Sequence, residues 1–147
     1  MKREERKAFL LQEELNKIDA LKGKVIHKEE KDWFRRTHTF RDFRESFRYE
    51  GEKEFKNGKK KPIKAKDPFT GNDLKSNFQL HHLDLDPKNY TELLREHFVA
   101  CNANTHDIIH DIYTQYCKDP KSLDRLVEII KKMYEINQGK DIKDFLD

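Results

Sequence analysis

Cysteine is scarce in this chain: of 147 residues only Cys101 and Cys117 are cysteines, and no CxxC pair occurs. A four-cysteine zinc site is excluded, and two cysteines are too few for the disulfide framework of a small secreted domain. Long apolar runs are lacking too. None approaches a signal-peptide core or a membrane span, so the expectation is a cytoplasmic, reducing, intracellular setting with no membrane partner. Apolar residues are few, at 35% against 40% charged, with a mean hydropathy of −1.08. The interior must be small. Ten Phe, five Tyr and one Trp offset this by burying a large area per residue, and a compact, mainly helical protein fits both observations.

The length suits one catalytic core plus an extension rather than two independent domains of ordinary size. Charge suggests where they meet. Residues 1–66 carry 21 Lys and Arg against 13 Asp and Glu, a net +8, whereas residues 67–147 carry 10 against 15, a net −5. The first segment is expected to be a basic helical extension that contacts a polyanion, and the second the core with a C-terminal helix. The plainer reading of the basic half is a solvated charged surface.

Ala8, Leu11, Leu15 and Ile18 recur at helical spacing, and Gly23 ends that helix. A second helical pattern runs from about Lys28 to Phe55, with Trp33, Phe40, Phe43 and Phe47 as a core stripe. Beside it lie Arg35, Arg36, Arg41, Arg44 and Arg48, whose guanidinium forks suit phosphates better than they suit packing. The stretch KNGKKKPIKAK from Lys56 to Lys66 reads as an extended basic connector, and its Lys59, Lys60 and Lys61 could track a nucleic-acid backbone or simply be solvated.

Asp67-Pro68-Phe69-Thr70-Gly71 is turn chemistry, after which a strand is expected around Phe78–Leu85 and another around Phe98–Cys101. Asn104 or Thr105 would cap a helix reaching Tyr116, with Ile109, Ile112, Tyr113 and Tyr116 on its apolar face. Ser122 would cap a last helix packing through Leu123, Leu126, Val127, Ile130, Met133 and Tyr134, with a closing turn at Ile142, Phe145 and Leu146.

Five of the seven histidines, His81, His82, His97, His106 and His110, fall within thirty residues. His106 and His110 are four apart on a predicted helix, so their rings project from one face and can bind one ion together. By itself an HxxxH pair is more often two partly exposed histidines. His81 and His82 are neighbours on a predicted strand and must point to opposite faces. One could serve a metal while the other acts as a general base, since an ordinary imidazole titrates near neutrality; alternatively one faces the core and the other solvent.

A Thr-Gly turn, a strand ending in His-His, a loop, a second short strand and a helix with HxxxH resemble the ββα-metal finger of HNH (His-Me finger) nucleases. The resemblance covers about Asp67 to Tyr116 and is nearest to the bacteriocin-type members that use three histidines on the metal. It implies a ββα-metal finger embedded in a helical scaffold. It also implies His81, His106 and His110 as ligands of one divalent ion, and His82 as the base that activates water. The family's middle asparagine, nine residues before the first helix histidine, is here His97. His97 could fix the loop with its own ring, or Asn102 or Asn104 could do so. The cysteine pairs that staple many HNH fingers are absent, with Asp67 and Thr70 where such a pair would begin, so packing must stabilise this finger.

The mechanism implied by the family is in-line attack of water on a phosphodiester, with DNA ahead of RNA as substrate, and Arg95 as an extra phosphate contact or a plain surface arginine. Zinc, nickel or manganese would suit imidazoles; magnesium would need Asp84 or water as well. Two other functions compete. One is a module that binds nucleic acid without cutting it. The other is an interaction protein whose histidines bind zinc only to fold.

Overall fold

A computed structural model describes residues 2–138. In chain order it contains α1 (Arg3–Leu21), α2 (Lys28–Arg36), α3 (His38–Glu45), β1 (Tyr49–Glu54), β2 (Lys60–Lys64), β3 (Gln79–His82), β4 (Phe98–Cys101), α4 (Ala103–Lys118) and α5 (Ser122–Ile136). Short 3-10 turns lie at Pro87–Asn89 and Arg95–His97. The fold is mainly α with small β elements, as the composition indicates: β1 pairs with β2 and β3 with β4, each pair antiparallel. Among the described residues no helix is long and apolar enough to cross a membrane. The chain packs as two compact units, Met1–Ala103 and Asn104–Asp147.

In the first unit, aromatic side chains build the interior. Ile18 of α1, Phe34 of α2 and Phe40 of α3 form one cluster, and Phe47, Ala65, Leu74, Phe78 and Phe98 form another; Leu80 of β3 and Leu93 pack against both. Leu80 therefore fastens the strand to two groups of side chains. Only Ile18 of the α1 stripe is buried, with Leu11 and Leu15 exposed.

The single helix expected over Lys28 to Phe55 is instead two helices and a strand. It breaks at Thr37, which takes an extended backbone conformation and caps α3 by accepting a hydrogen bond from the Phe40 amide at 3.2 Å. Its hydroxyl also donates to the Phe34 carbonyl at 2.6 Å, closing the end of α2. Glu14 reaches from α1 to the same helix start: its carboxylate accepts from the His38 and Thr39 amides at 2.8 and 3.2 Å and from the Thr39 hydroxyl at 2.9 Å. A negative charge at a helix N-terminus also complements the helix dipole. The bend turns the aromatic stripe, so Phe34 is fully buried where the periodic reading had selected Trp33.

The basic stretch at Lys56 to Lys66 is also not a plain connector. Residues Phe55 to Lys59 make a tight hairpin turn, with the Gly58 amide donating to the Phe55 carbonyl and Phe55 to the Lys59 carbonyl at 2.9 and 2.8 Å. Gly58 has φ +78°, which favours glycine, and Asn57 accepts from the Lys59 amide. Asn-Gly between two strand-capable runs is the signal that the lysine content obscured. No break in packing falls after Lys66: Phe47 and Ala65 share a cluster with Leu74, Phe78 and Phe98, and the first compact unit continues to Ala103.

The two strands expected around Phe78–Leu85 and Phe98–Cys101 fall close to expectation, although β3 stops at His82 and Leu83 and Leu85 are exposed. In the second unit, α4 begins at Ala103, slightly ahead of the expected caps, and α5 runs from Ser122 with Lys121 as its cap. The apolar side of α5 is not the packed core that its periodicity suggested: Leu126, Val127, Ile130, Met133 and Tyr134 are all exposed. Periodicity identifies which side of a helix is apolar, not whether anything covers it. The closing turn expected at Ile142, Phe145 and Leu146 lies outside the described residues.

Candidate metal centre

β3 and β4 pair in register, His81 opposite Val99 and His82 opposite Phe98, and α4 starts two residues after β4 ends. Strand alternation then separates the two adjacent histidines. His82 lies on the Leu80 side, where its ring stacks on Tyr90 (centroids 4.8 Å apart, 23° between planes) and tilts against Phe98 at 4.6 Å. His81 takes the other direction. His106 and His110, one turn apart on α4, bring their Nε2 atoms to 3.2 Å. His81, His106 and His110 each offer one ligand atom, and these atoms all lie within 4.8 Å of one another.

These three residues could hold a metal ion. Two imidazole nitrogens bound tetrahedrally at zinc-like lengths are about 3.3 Å apart, close to the His106–His110 spacing. Burial, and then the neighbouring His110, hold the His106 imidazole below its usual pKa, so it is neutral near pH 7 with a lone pair to offer. The donor set is entirely imidazole. Asp84 is not among the three grouped ligands, and its carboxylate is engaged in its own loop: it accepts from the Asp86 amide and the Asn89 side chain, each at 2.9 Å.

His82 titrates below an ordinary histidine chiefly because burial disfavours the charged ring, with Arg35 and Lys31 adding to the effect against the Tyr90 carbonyl and Asp84. In the tautomer protonated on Nε2, that nitrogen donates to the Tyr90 carbonyl at 3.4 Å. Nδ1 then carries the lone pair. His97 stands at the other end of the β3–β4 loop. Its carbonyl accepts from the Leu83 amide at 2.8 Å and its Nδ1 lies 3.8 Å from the Asp84 carboxylate. Asn102 fixes a different segment, accepting from the Lys75 amide at 2.8 Å and donating to the Asp73 carbonyl at 3.2 Å.

Asp67, which in the sequence marks only a turn, anchors this region by hydrogen bonds. It is fully buried; one carboxylate oxygen accepts from the Phe69 and Thr70 amides at 2.9 and 3.0 Å, and the other from the Asn102 amide at 2.8 Å. The turn is thereby tied to the residue just before α4. The Asp-Pro-x-Thr-Gly pattern marks the turn, but its long-range partner is not readable from spacing. Cys101 is also fully buried, and burial together with the Asp67 charge raises its thiol to about 11. It is a neutral packing group, not a thiolate ligand.

The basic residues divide sharply. Arg44, expected to face phosphate, holds the fold: it donates to the Ser76 and Phe78 carbonyls at 3.2 and 2.5 Å and lies over the Phe78 ring at 4.1 Å. Arg48 pairs with Glu45 at 2.7 Å and Arg95 donates to the Ser46 hydroxyl at 3.0 Å while lying over Phe47 at 4.1 Å. Arg35 pairs with Asp32 at 2.7 Å, and Arg36 donates to the Asp32 carbonyl at 3.2 Å. Arg41 and the hairpin residues Lys59, Lys60 and Lys61 are exposed. No family model, curated protein or solved structure matches the chain.

Proposed function

We propose that this chain is a metal-dependent endonuclease of the HNH type that hydrolyses phosphodiester bonds in nucleic acid, DNA ahead of RNA. The observation that carries the reading is the His81, His106 and His110 group, which could hold one metal ion. Three imidazole donors suit zinc or nickel better than magnesium. An ion bound there would supply Lewis-acid stabilisation of charge building on the phosphate.

His82 has the attributes of the base. Its burial keeps it neutral, and donation from Nε2 to the Tyr90 carbonyl leaves Nδ1 to accept a proton from water. Stacking on Tyr90 restricts ring rotation. The Leu83 amide bonded to the His97 carbonyl closes the loop between the strands, and the His97 ring beside Asp84 would take the part of the family's middle asparagine. The same packing of His82 against Tyr90 and Phe98 favours a second reading, in which the ring serves the core and the chain binds nucleic acid without cutting it.

The test is cleavage of supercoiled plasmid with Mg²⁺, Mn²⁺, Ni²⁺, Zn²⁺ or EDTA, alongside His82→Ala and a direct measurement of metal affinity. Metal-dependent nicking lost in His82→Ala, with metal affinity retained, is the expected result. Salt-sensitive binding without cleavage of plasmid, RNA or branched DNA under any metal refutes catalysis and leaves the second reading.

A further inference from the structure

Every residue of β1 and β2 is exposed, and neither strand contributes to either core cluster. The ribbon nevertheless has two chemically different faces. Its register sets Glu54 opposite Lys60 and Lys53 opposite Lys61. Because side chains alternate, one face carries Glu52 and Glu54 with Lys60, while the other carries Lys53, Phe55, Lys59 and Lys61. The ammonium groups of Lys53 and Lys61 lie 5.7 and 5.5 Å from the Phe55 ring centre, on this second face. Among the described residues none of Lys53, Lys59 and Lys61 has an ion pair.

Like charges directly opposite on paired strands destabilise a sheet, and a lone two-stranded hairpin is marginal already. An opposed lysine pair on strands exposed along their whole length, with only the Phe55 ring beneath it, leaves room for an anion from outside the chain as its counter-charge. Arg44 of α3 and Arg48 just after it do not compete for that part, since both are engaged within the chain, and Arg41 is the exposed arginine of α3. Resting on the reading that the chain acts on nucleic acid, we propose that the Lys53, Lys59 and Lys61 face of the β1–β2 ribbon is an arm that grips the phosphates of duplex DNA. A two-stranded ribbon fits the major groove of a duplex. Phe55 lies beneath two ammonium groups and is therefore not an open platform for an unstacked base, which favours duplex over single strand.

The experiment measures binding of a labelled DNA duplex in EDTA by fluorescence anisotropy, from about 50 to about 200 mM salt. It compares the wild type with a variant combining Lys53→Gln, Lys59→Gln and Lys61→Gln, and with a control combining Glu52→Gln and Glu54→Gln. Each phosphate contact contributes about 0.9 to the slope of log affinity against log salt, so the lysine variant's slope is expected to be shallower by about 2.7. Over that fourfold salt range the wild type then loses about 40-fold more affinity than the variant. Relief of the Lys53–Lys61 opposition leaves thermal stability unchanged or raised, and the glutamate control keeps the full slope.

A lysine-variant slope within about 0.5 of wild type, or no duplex binding by the wild type, overturns the arm. A lysine-dependent preference for single-stranded DNA overturns the duplex assignment. Because EDTA removes catalysis, a reduced slope in a chain that cleaves nothing keeps the arm and removes the hydrolase. Cleavage with an unchanged slope does the reverse.

Discussion

Replacing Asp67 by asparagine exchanges one carboxylate oxygen for an amide that can only donate, inside a fully buried site. The two oxygens accept three backbone hydrogen bonds, two from the turn and one from Asn102. If the amide faces Asn102, one part-buried N–H loses its acceptor; if it faces the turn, two do. A buried donor left without an acceptor costs about 1–3 kcal/mol, and the surviving bonds lose the strengthening that a charged acceptor gives. The expected destabilisation of Asp67→Asn is therefore about 2–4 kcal/mol, or roughly 5–12 °C in Tm at this chain length. Urea unfolding followed by far-UV circular dichroism should show a lower midpoint with an unchanged slope, and Asp67→Ala should fall further. A change below about 0.5 kcal/mol would refute the assignment of Asp67 as the anchor of the turn to the start of α4.

Other consequences follow from the same structure. His106→Ala or His110→Ala should weaken Zn²⁺ or Ni²⁺ affinity at least about 100-fold in chelator competition, whereas His82→Ala should change it little; equal effects of all three contradict the ligand set. Arg44→Ala should cost about 1.5–3 kcal/mol in urea unfolding by removing its bonds to the Phe78 and Ser76 carbonyls, while leaving the salt dependence of DNA binding intact. Burial alone would raise Glu14, but the His38 and Thr39 hydrogen bonds outweigh it and lower its pKa below 4.5. Its stabilisation is thus complete above the ordinary value and disappears as pH falls through the depressed one. Unfolding of Glu14→Gln across that acid range should lack this component, and an identical pH profile for wild type and variant contradicts it. In the native protein iodoacetamide at mildly alkaline pH should label exposed Cys117 and spare Cys101, with both labelled after denaturation.

Much of the candidate centre was legible in the order of residues because the relevant constraints are local. A helix places residues four apart on one face, so His106 and His110 could be paired from spacing alone. Strand alternation separates His81 from His82 without any tertiary information. Tyr90 was not foreseeable as the partner of His82, because a loop of irregular backbone decides where its ring and carbonyl go. The hairpin was missed for a different reason: its lysines resemble a solvated linker, and only Asn57-Gly58 specifies the turn.

The sequence by itself determined the mainly helical class, the two short strands ahead of α4, and which histidines share a helix face or part across a strand. Each follows from periodicity and chirality within a few residues. Tertiary structure decided the break at Thr37, the burial of Phe34, the commitment of Arg44 and Arg95 to the fold, and the role of Asp67. The parts of the arginines and of Asp67 depend on which groups meet across 32 to 49 residues of chain, as Arg44 meets Ser76, Asp67 meets Asn102 and Arg95 meets Ser46. A guanidinium carries the same five donors whether it awaits a phosphate or binds a carbonyl, and a buried aspartate is spelled like an exposed one. Only the packed chain distinguishes them, because the partner and the loss of water are properties of the fold.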